Sequence, residues 1–246
     1  MCQPEKQPVD GTAADPLATE FAHVHPNERH RFLIAREGDE MAAAEMLRSH
    51  LAWRAANFPR PPDAPTIGSG GGLPDFAWLC PGRANNGTHL VVCQPCMIDP
   101  KLGHSEDEYI FALFRLIDEA CGRESTDRCT VLIDNRGRED GANVPGLKLV
   151  PLGQKMSKCL SDHCPERLDK LVVYPVPAAL YFIWGLVRPF MAPKTADKVR
   201  LLMGPAGRTS PCPAKLAQFV CAESLREQDR PRHAGLPNAP PVGVAE

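Results

Sequence analysis

From Leu171 to Val187 the chain carries no charged residue, and this run, LVVYPVPAALYFIWGLV, restricts the fold more than any other stretch. It raises the question of a membrane span, which takes ~20 consecutive apolar residues. Pro175 and Pro177 answer it by cutting the run into a β-branched piece, Leu171 to Tyr174, and an apolar helical piece from Ala178 to about Met191. Both pieces are too short to cross a bilayer, so the expectation is a strand followed directly by a helix. Leu180, Tyr181, Phe182, Ile183, Trp184, Leu186 and Val187 put bulky groups on every side of that helix. One packed stripe cannot cover them all, so something else must cover the remaining face.

Other elements follow from periodicity. Ser105 and Glu108 make a capping box, and behind it Ile110, Leu113, Phe114, Ile117 and Cys121 recur at helical spacing, which predicts an amphipathic helix from Glu106 to Gly122. His89 to Cys93 reads as a strand entered from an Asn86-Gly87 turn, and Cys129 to Ile133 as a strand buried on both faces. Pro145 to Leu160 reads as a helix, Val199 to Met203 as a strand, and Ala214 to Leu225 as one helix with Leu216, Phe219 and Val220 inward. Before all of these, Asn27 to Trp53 reads as two short helices around Gly38, the second carrying the stripe Ala43, Leu47, Leu51. Strands alternating with helices predict an α/β fold with a mostly parallel or mixed sheet.

Composition sets the limits. A chain of 246 residues suits one sizeable domain with a small helical subdomain, and its net charge of -2 excludes the basic footprint of a nucleic-acid binder. Twenty-six prolines gather near the ends and in 59 to 65, marking tails and a linker. The opening MCQPEKQPVDGTAAD has no apolar run, so neither signal peptide nor anchor is expected, and the ten scattered cysteines are expected to be reduced thiols of a cytoplasmic protein.

Several segments together resemble the CRAL-TRIO, or Sec14-like, lipid-binding family. CPERL (164 to 168), LVVY, AALYFIWGLVRPFM and APKTADK (192 to 198) are similar to its YPERL turn, strand, gate helix and D-P-x-T-x-x-K segment. RFLIARE (31 to 37) with the helix ending in Trp53-Arg54 resembles its N-terminal segment, and Asp134 to Gly137 its D-x-x-G. The resemblance implies about five strands flanked by helices, a mobile gate helix and an N-terminal helical subdomain. The expected organisation is a disordered tail over 1 to 26, the helical subdomain over 27 to 58, a Pro/Gly linker over 59 to 74, the lipid-binding domain over 75 to 228 and a Pro-rich tail over 229 to 246.

The resemblance also implies a cargo. Arg36, Glu166, Thr195 and Lys198 match residue types that hold phosphatidylinositol in members that bind it, while Glu37 stands where such members have lysine. Leu180, Phe182, Ile183, Trp184, Leu186, Val187 and Phe190 would form the gate and acyl pocket. A diacyl lipid leaves its bilayer only for comparable apolar surroundings, since each exposed methylene costs about 0.8 kcal/mol. The expected role is extraction and exchange or presentation of phosphatidylinositol, with transient contact to a membrane surface and to a lipid kinase or other lipid-modifying enzyme, and with no cofactor, metal or nucleic acid. The alternatives are a carrier of a retinoid, tocopherol or sterol-like ligand and a non-transporting interaction module. Catalysis is not expected: His163-Cys164 resembles the start of a cysteine-phosphatase loop, but Lys170 holds the arginine position and Glu166 and Asp169 would repel a phosphate. Cys93-Gln-Pro-Cys96 lacks the second closely spaced pair of a zinc site.

Overall fold

The computed structural model describes residues 15–240 apart from 69, 100, 102–103, 179–180 and 191–192, with the backbone alone at 181, 183, 187 and 190. Helices α1 (Pro26–Ala35) and α2 (Glu40–Asn57) form the expected hairpin. Between them Gly38 takes φ +86°, a left-handed turn that glycine adopts without penalty, and Asp39 caps α2 by accepting from Ala42 N at 2.9 Å. The preceding segment is no loose tail from residue 15 onward. Leu17, Phe21 and Val24 are buried with Phe32 and Leu47, because the hairpin's second face needs apolar cover.

The linker is partly ordered too. β1 (Thr66–Ile67) and β2 (Gly72–Leu73) pair in parallel, and Leu73 is buried in the main core. A five-stranded sheet follows, of β3 (Ala77–Arg83), β4 (His89–Cys93), β5 (Cys129–Asp134), β6 (Leu168–Val176) and β7 (Val199–Met203), in that spatial order. The β3–β4 pair is antiparallel and the others are parallel, which gives the mixed sheet expected. Pro175 falls at the register shift between β6 and β7, where its missing N–H breaks no regular ladder bond.

Two layers cover the sheet. On one face lie α3 (Glu106–Cys121), with the Ser105–Glu108 capping box formed, and α4 (Gly146–His163), both packed on Val91 and Val131. β6 leads into α5 (Tyr181–Val187), a 3-10 turn (Arg188–Phe190) and α6 (Pro193–Ala196), so the expected 178 to 191 helix is shorter and broken at Arg188-Pro189. The other face is covered by the C-terminal segment, with Leu216, Val220 and Leu225 buried against Leu90, Val92, Leu132 and Val172.

That segment is not the single helix expected. It forms 3-10 turns at Ala214–Gln218 and Ala222–Ser224, with Cys221 extended between them. Asn85 supplies the reason: its N–H donates to Phe219 O and its Nδ2 to Ala217 O, both at 2.9 Å, taking carbonyls that α-helical bonds would need. Gly82 lets the strap cross β3, since a Cβ there would lie 2.5 Å from Ser224 Cα. Nor does the Pro-rich tail begin at 229, because Asp229 and His233 are buried and His233 meets Tyr174 of β6.

Candidate functional site

The sheet's helix-side face is unevenly covered. Val91, Val131, Leu171 and Val199 form one row across four strands, and Cys93, Ile133, Val173 and Leu201 the next. The first row is sealed at Val91 (0 % exposed) and opens toward Leu171 and Val199, while every member of the second row is only half-buried. On the opposite face Leu132 and Val172 are fully enclosed. The result is a half-open apolar floor near the carboxyl ends of the parallel strands, where ligands of open α/β sheets bind. The thiol at its end, Cys93, is pushed up to about 12 by burial.

α4 packs on this side of the sheet, and α5 adjoins α4. Gln154 Nε2 donates to Leu186 O at 3.3 Å and links them. A concavity of about 310 Å³ lies at the far end of α5, lined by Gly185, Arg188, Pro189, Pro193 and Ala196. Two expected lining residues point elsewhere: Phe182 and Leu186, one turn apart, keep 54 % and 46 % of their surface exposed. A two-turn helix presents only one face inward, and theirs is the outward one. Trp184 is half-buried, Leu180 lies outside the described residues, and so do the side chains of Ile183, Val187 and Phe190. Ile133 and Val173 belong to the two apolar strands, 129 to 133 and 171 to 174, that were expected to form the floor; Cys93 and Leu201 were not anticipated there, because the alternation along each strand holds the signal only once the strand order is known.

The polar candidates divide into two groups. Lys198 Nζ lies 3.7 Å from Glu166 Oε2, and Arg128 Nη2 approaches the same oxygen at 3.5 Å. Glu166 adopts φ +59°, a conformation that costs energy for a residue with a Cβ and clusters at functional positions. Its neighbour holds it there: the buried Arg167 guanidinium donates to the carbonyls of Gly122, Arg123, Ser125 and Asp127 and fixes the turn from α4 into β6. Thr195 is half-buried in α6, and its carbonyl accepts from Lys198 N at 3.1 Å. Arg36 is apart from these, exposed at the end of α1 and lining a cleft of about 460 Å³ with Ala42, Glu45, Met46, Ser49, Asp162 and His163. The hairpin reaches α6 through Glu37, whose carboxylate lies 3.0 Å from Lys194 Nζ.

The hairpin itself is held by a buried polar and aromatic seam. Glu28 meets Arg123 at 2.8 Å, Arg54 meets Asp118 at 2.6 Å, and Trp53 stacks on His163 with ring centroids 3.9 Å apart. Burial, with His50 nearby, lowers His163 to about 4, so its imidazole is neutral at pH 7. The adjacent Cys164 thiol is raised well above its ordinary value by burial, which is the opposite of what a thiolate nucleophile requires. Among the described residues no group of three or more His, Cys, Asp or Glu side chains is arranged to hold a metal ion. Nor is any helix among them long and apolar enough to cross a membrane.

A second polar cluster lies on the opposite face of the sheet. Arg136 grips Asp134 with two bonds of 2.9 Å, Arg232 Nε donates to Asp134 Oδ2 at 2.7 Å, and Tyr174 OH meets His233 Nε2 at 2.8 Å. Burial alone would raise the Asp134 carboxyl, yet the two guanidiniums hold it below its ordinary value. The cluster locks the C-terminal strap to β5 and β6, so the Asp of the D-x-x-G segment is structural here.

Comparison with known proteins agrees with this architecture. The family model of the CRAL/TRIO domain matches residues 76–228. The crystal structure of Sfh5 superposes with a TM-score of 0.58 at 16 % sequence identity, covering 72 % of this chain. The match spans 64 % of the Sfh5 chain, less than two thirds of it, and at that identity it speaks for the fold.

Proposed function

The chain belongs to the CRAL/TRIO domain family of lipid-binding carriers, and from that premise we propose that its cargo is a phospholipid, phosphatidylinositol, held with its acyl chains on the Cys93–Ile133–Val173–Leu201 floor. The observation that carries this reading is the Glu166–Lys198 pair at 3.7 Å, just before β6 and β7, two strands whose helix-side face is apolar and only half-buried at Leu171, Val173, Val199 and Leu201. Lys198 supplies a point charge and Thr195 a hydroxyl to the phosphate, and Glu166 accepts from inositol hydroxyls, while Arg36 stays in its separate cleft on the hairpin. A buried phosphate without such partners is prohibitively costly. α5 acts as the gate, with Gly185 and Pro189 as the points where it bends. The protein exchanges the lipid at membrane surfaces or presents it to a lipid-modifying enzyme, without cofactor, metal or catalysis of its own.

A second reading has one observation in its favour. The concavity beside α5, about 310 Å³, sits at the low end of ligand pockets (~300–1,000 Å³) and suits a retinoid, tocopherol or sterol-like ligand without movement of the gate. Two acyl chains require the gate to swing outward. Transfer of fluorescent phosphatidylinositol between vesicles separates the two: transfer supports the phospholipid reading, and transfer of retinol or tocopherol alone rejects it.

A further inference from the structure

Between the end of β7 at Met203 and the strap's first 3-10 turn at Ala214 runs the sequence GPAGRTSPCP, residues 204–213, which forms neither helix nor strand. Ser210 N donates to Gly207 O at 3.1 Å and closes a turn over Gly207-Arg208-Thr209-Ser210. The Ser210 hydroxyl oxygen lies back over this turn, 3.1 Å from where a Cβ on Gly207 would stand. Pro205, Gly207, Arg208, Thr209 and Pro211 are exposed, and Ser210 is half-buried. Of the 26 prolines in the chain, Pro211 alone follows a serine or threonine. A following proline biases Ser210 to extended backbone, the conformation in which a protein kinase binds its substrate segment. A surface loop that lacks ladder bonds reaches that conformation at small cost. A Ser-Pro step with an arginine two residues before it therefore presents what a proline-directed kinase requires.

The charge at the foot of the loop suits the product. Arg136 Nη1 donates to Ser210 O at 3.1 Å and to Arg232 O at 2.7 Å. Arg136 and Arg232 share a single carboxylate, Asp134, and the nearby Asp229 is already held by Arg226. Arg208 crosses toward the same place, its Cγ 3.2 Å from where a Cβ on Gly137 would lie, and it has no ion-pair partner among the described residues. Three guanidiniums thus face one carboxylate. A phosphoserine carries a charge of about -1.5 to -2 at neutral pH and accepts paired bonds from arginine. The exposed Arg208 can turn onto such a group, with the buried Arg136 behind it.

We propose that Ser210 is a phosphorylation site, and that its phosphate, gripped by Arg208, fastens the loop between β7 and the C-terminal strap. In the modifying step the Ser210 oxygen attacks the γ-phosphorus of a nucleoside triphosphate and the bond to the bridging oxygen breaks. The nucleoside diphosphate leaves, and the hydroxyl proton passes to the kinase. None of this depends on which cargo the apolar floor takes.

The test is incubation of the full chain with a proline-directed serine/threonine kinase and ATP, with the phosphate counted and located by mass spectrometry of the intact chain and of its peptides. Wild type and Thr209→Ala should each take up one phosphate, on Ser210, and Ser210→Ala none. The phosphorylated wild type should melt about 2–4 °C above the unmodified chain, as one added ion pair in a domain of this size allows. Arg208→Gln keeps the Ser-Pro step, so it should accept the phosphate and lose most of that rise. Unmodified Ser210→Ala should melt with wild type, which separates the phosphate's effect from that of the substitution. A wild-type chain that takes up no phosphate, a phosphate on Thr209 instead, or equal uptake by Ser210→Ala overturns the site. A phosphorylated chain that melts no higher than the unmodified one, or an equal rise in Arg208→Gln, overturns the grip.

Discussion

Replacing Lys198 with alanine removes the cation that reaches Glu166 from the end of α6, and the geometry sets what this should cost. In the free protein the pair is separated by 3.7 Å, with side chains 24 % and 15 % exposed. A pair that is partly wet contributes ~1 kcal/mol or less to stability. Arg128 remains within 3.5 Å of the same carboxylate, so Glu166 is not left bare and the fold should hold. A phosphate about 4 Å from Lys198 is a different matter: the attraction is about 1 kcal/mol in water-like surroundings and about 4 kcal/mol at the protein rim. Loss of Lys198 should therefore lower phosphatidylinositol transfer between vesicles by roughly fivefold to nearly a thousandfold. Lys198→Arg should retain most of it. Phosphatidylcholine carries the same phosphate, so the readout is the phosphatidylinositol transfer rate of the variant against that of wild type. An unchanged rate, with the melting temperature also unchanged, would show that Lys198 does not touch the cargo.

Three further outcomes follow from the same structure. Val173→Trp, on the half-open floor, should abolish cargo uptake while changing the melting temperature little, because the added ring fills space a ligand would take; lipid extraction checks it. Asp134→Asn leaves the buried Arg136 and Arg232 without their counter-charge and should destabilise the chain by about 3–5 kcal/mol in denaturant unfolding, without altering lipid selectivity in the protein that remains folded. His163 is held near 4 by burial and by His50, so the unfolded chain binds its proton first as pH falls. Stability from this group is complete above about 6.5 and declines as pH falls toward 4. The melting temperature should fall across that window and fall less in His163→Phe, and an identical slope in the variant would remove His163 as the cause.

How much of this was legible beforehand depended on distance along the chain. α3 was readable in full, because its cap and its stripe are local. β3 was not, since Pro81 and Gly82 interrupt its alternation, and the reason for that glycine lies at Ser224. The strap was misread as a helix because the residue that prevents one, Asn85, is 132 positions from the carbonyl it captures. The grip of Arg232 on Asp134 spans 98 positions and leaves no trace in either neighbourhood. At the candidate site, Glu166 and Lys198 were marked by resemblance and do meet, whereas Arg36 lines a cleft of its own. The orientation of Phe182 and Leu186 was beyond reach, because a helix bulky on all sides does not reveal which side faces the sheet.

The central claim is that the space between α5 and the Cys93–Ile133–Val173–Leu201 row takes up lipid. Native mass spectrometry of the purified full chain, followed by extraction and identification of what is released, tests it most directly. The account predicts one phosphatidylinositol molecule per chain in wild type and none in Val173→Trp. A wild-type chain that stays empty after incubation with phosphatidylinositol vesicles, or a Val173→Trp chain loaded to the same extent as wild type, would contradict it.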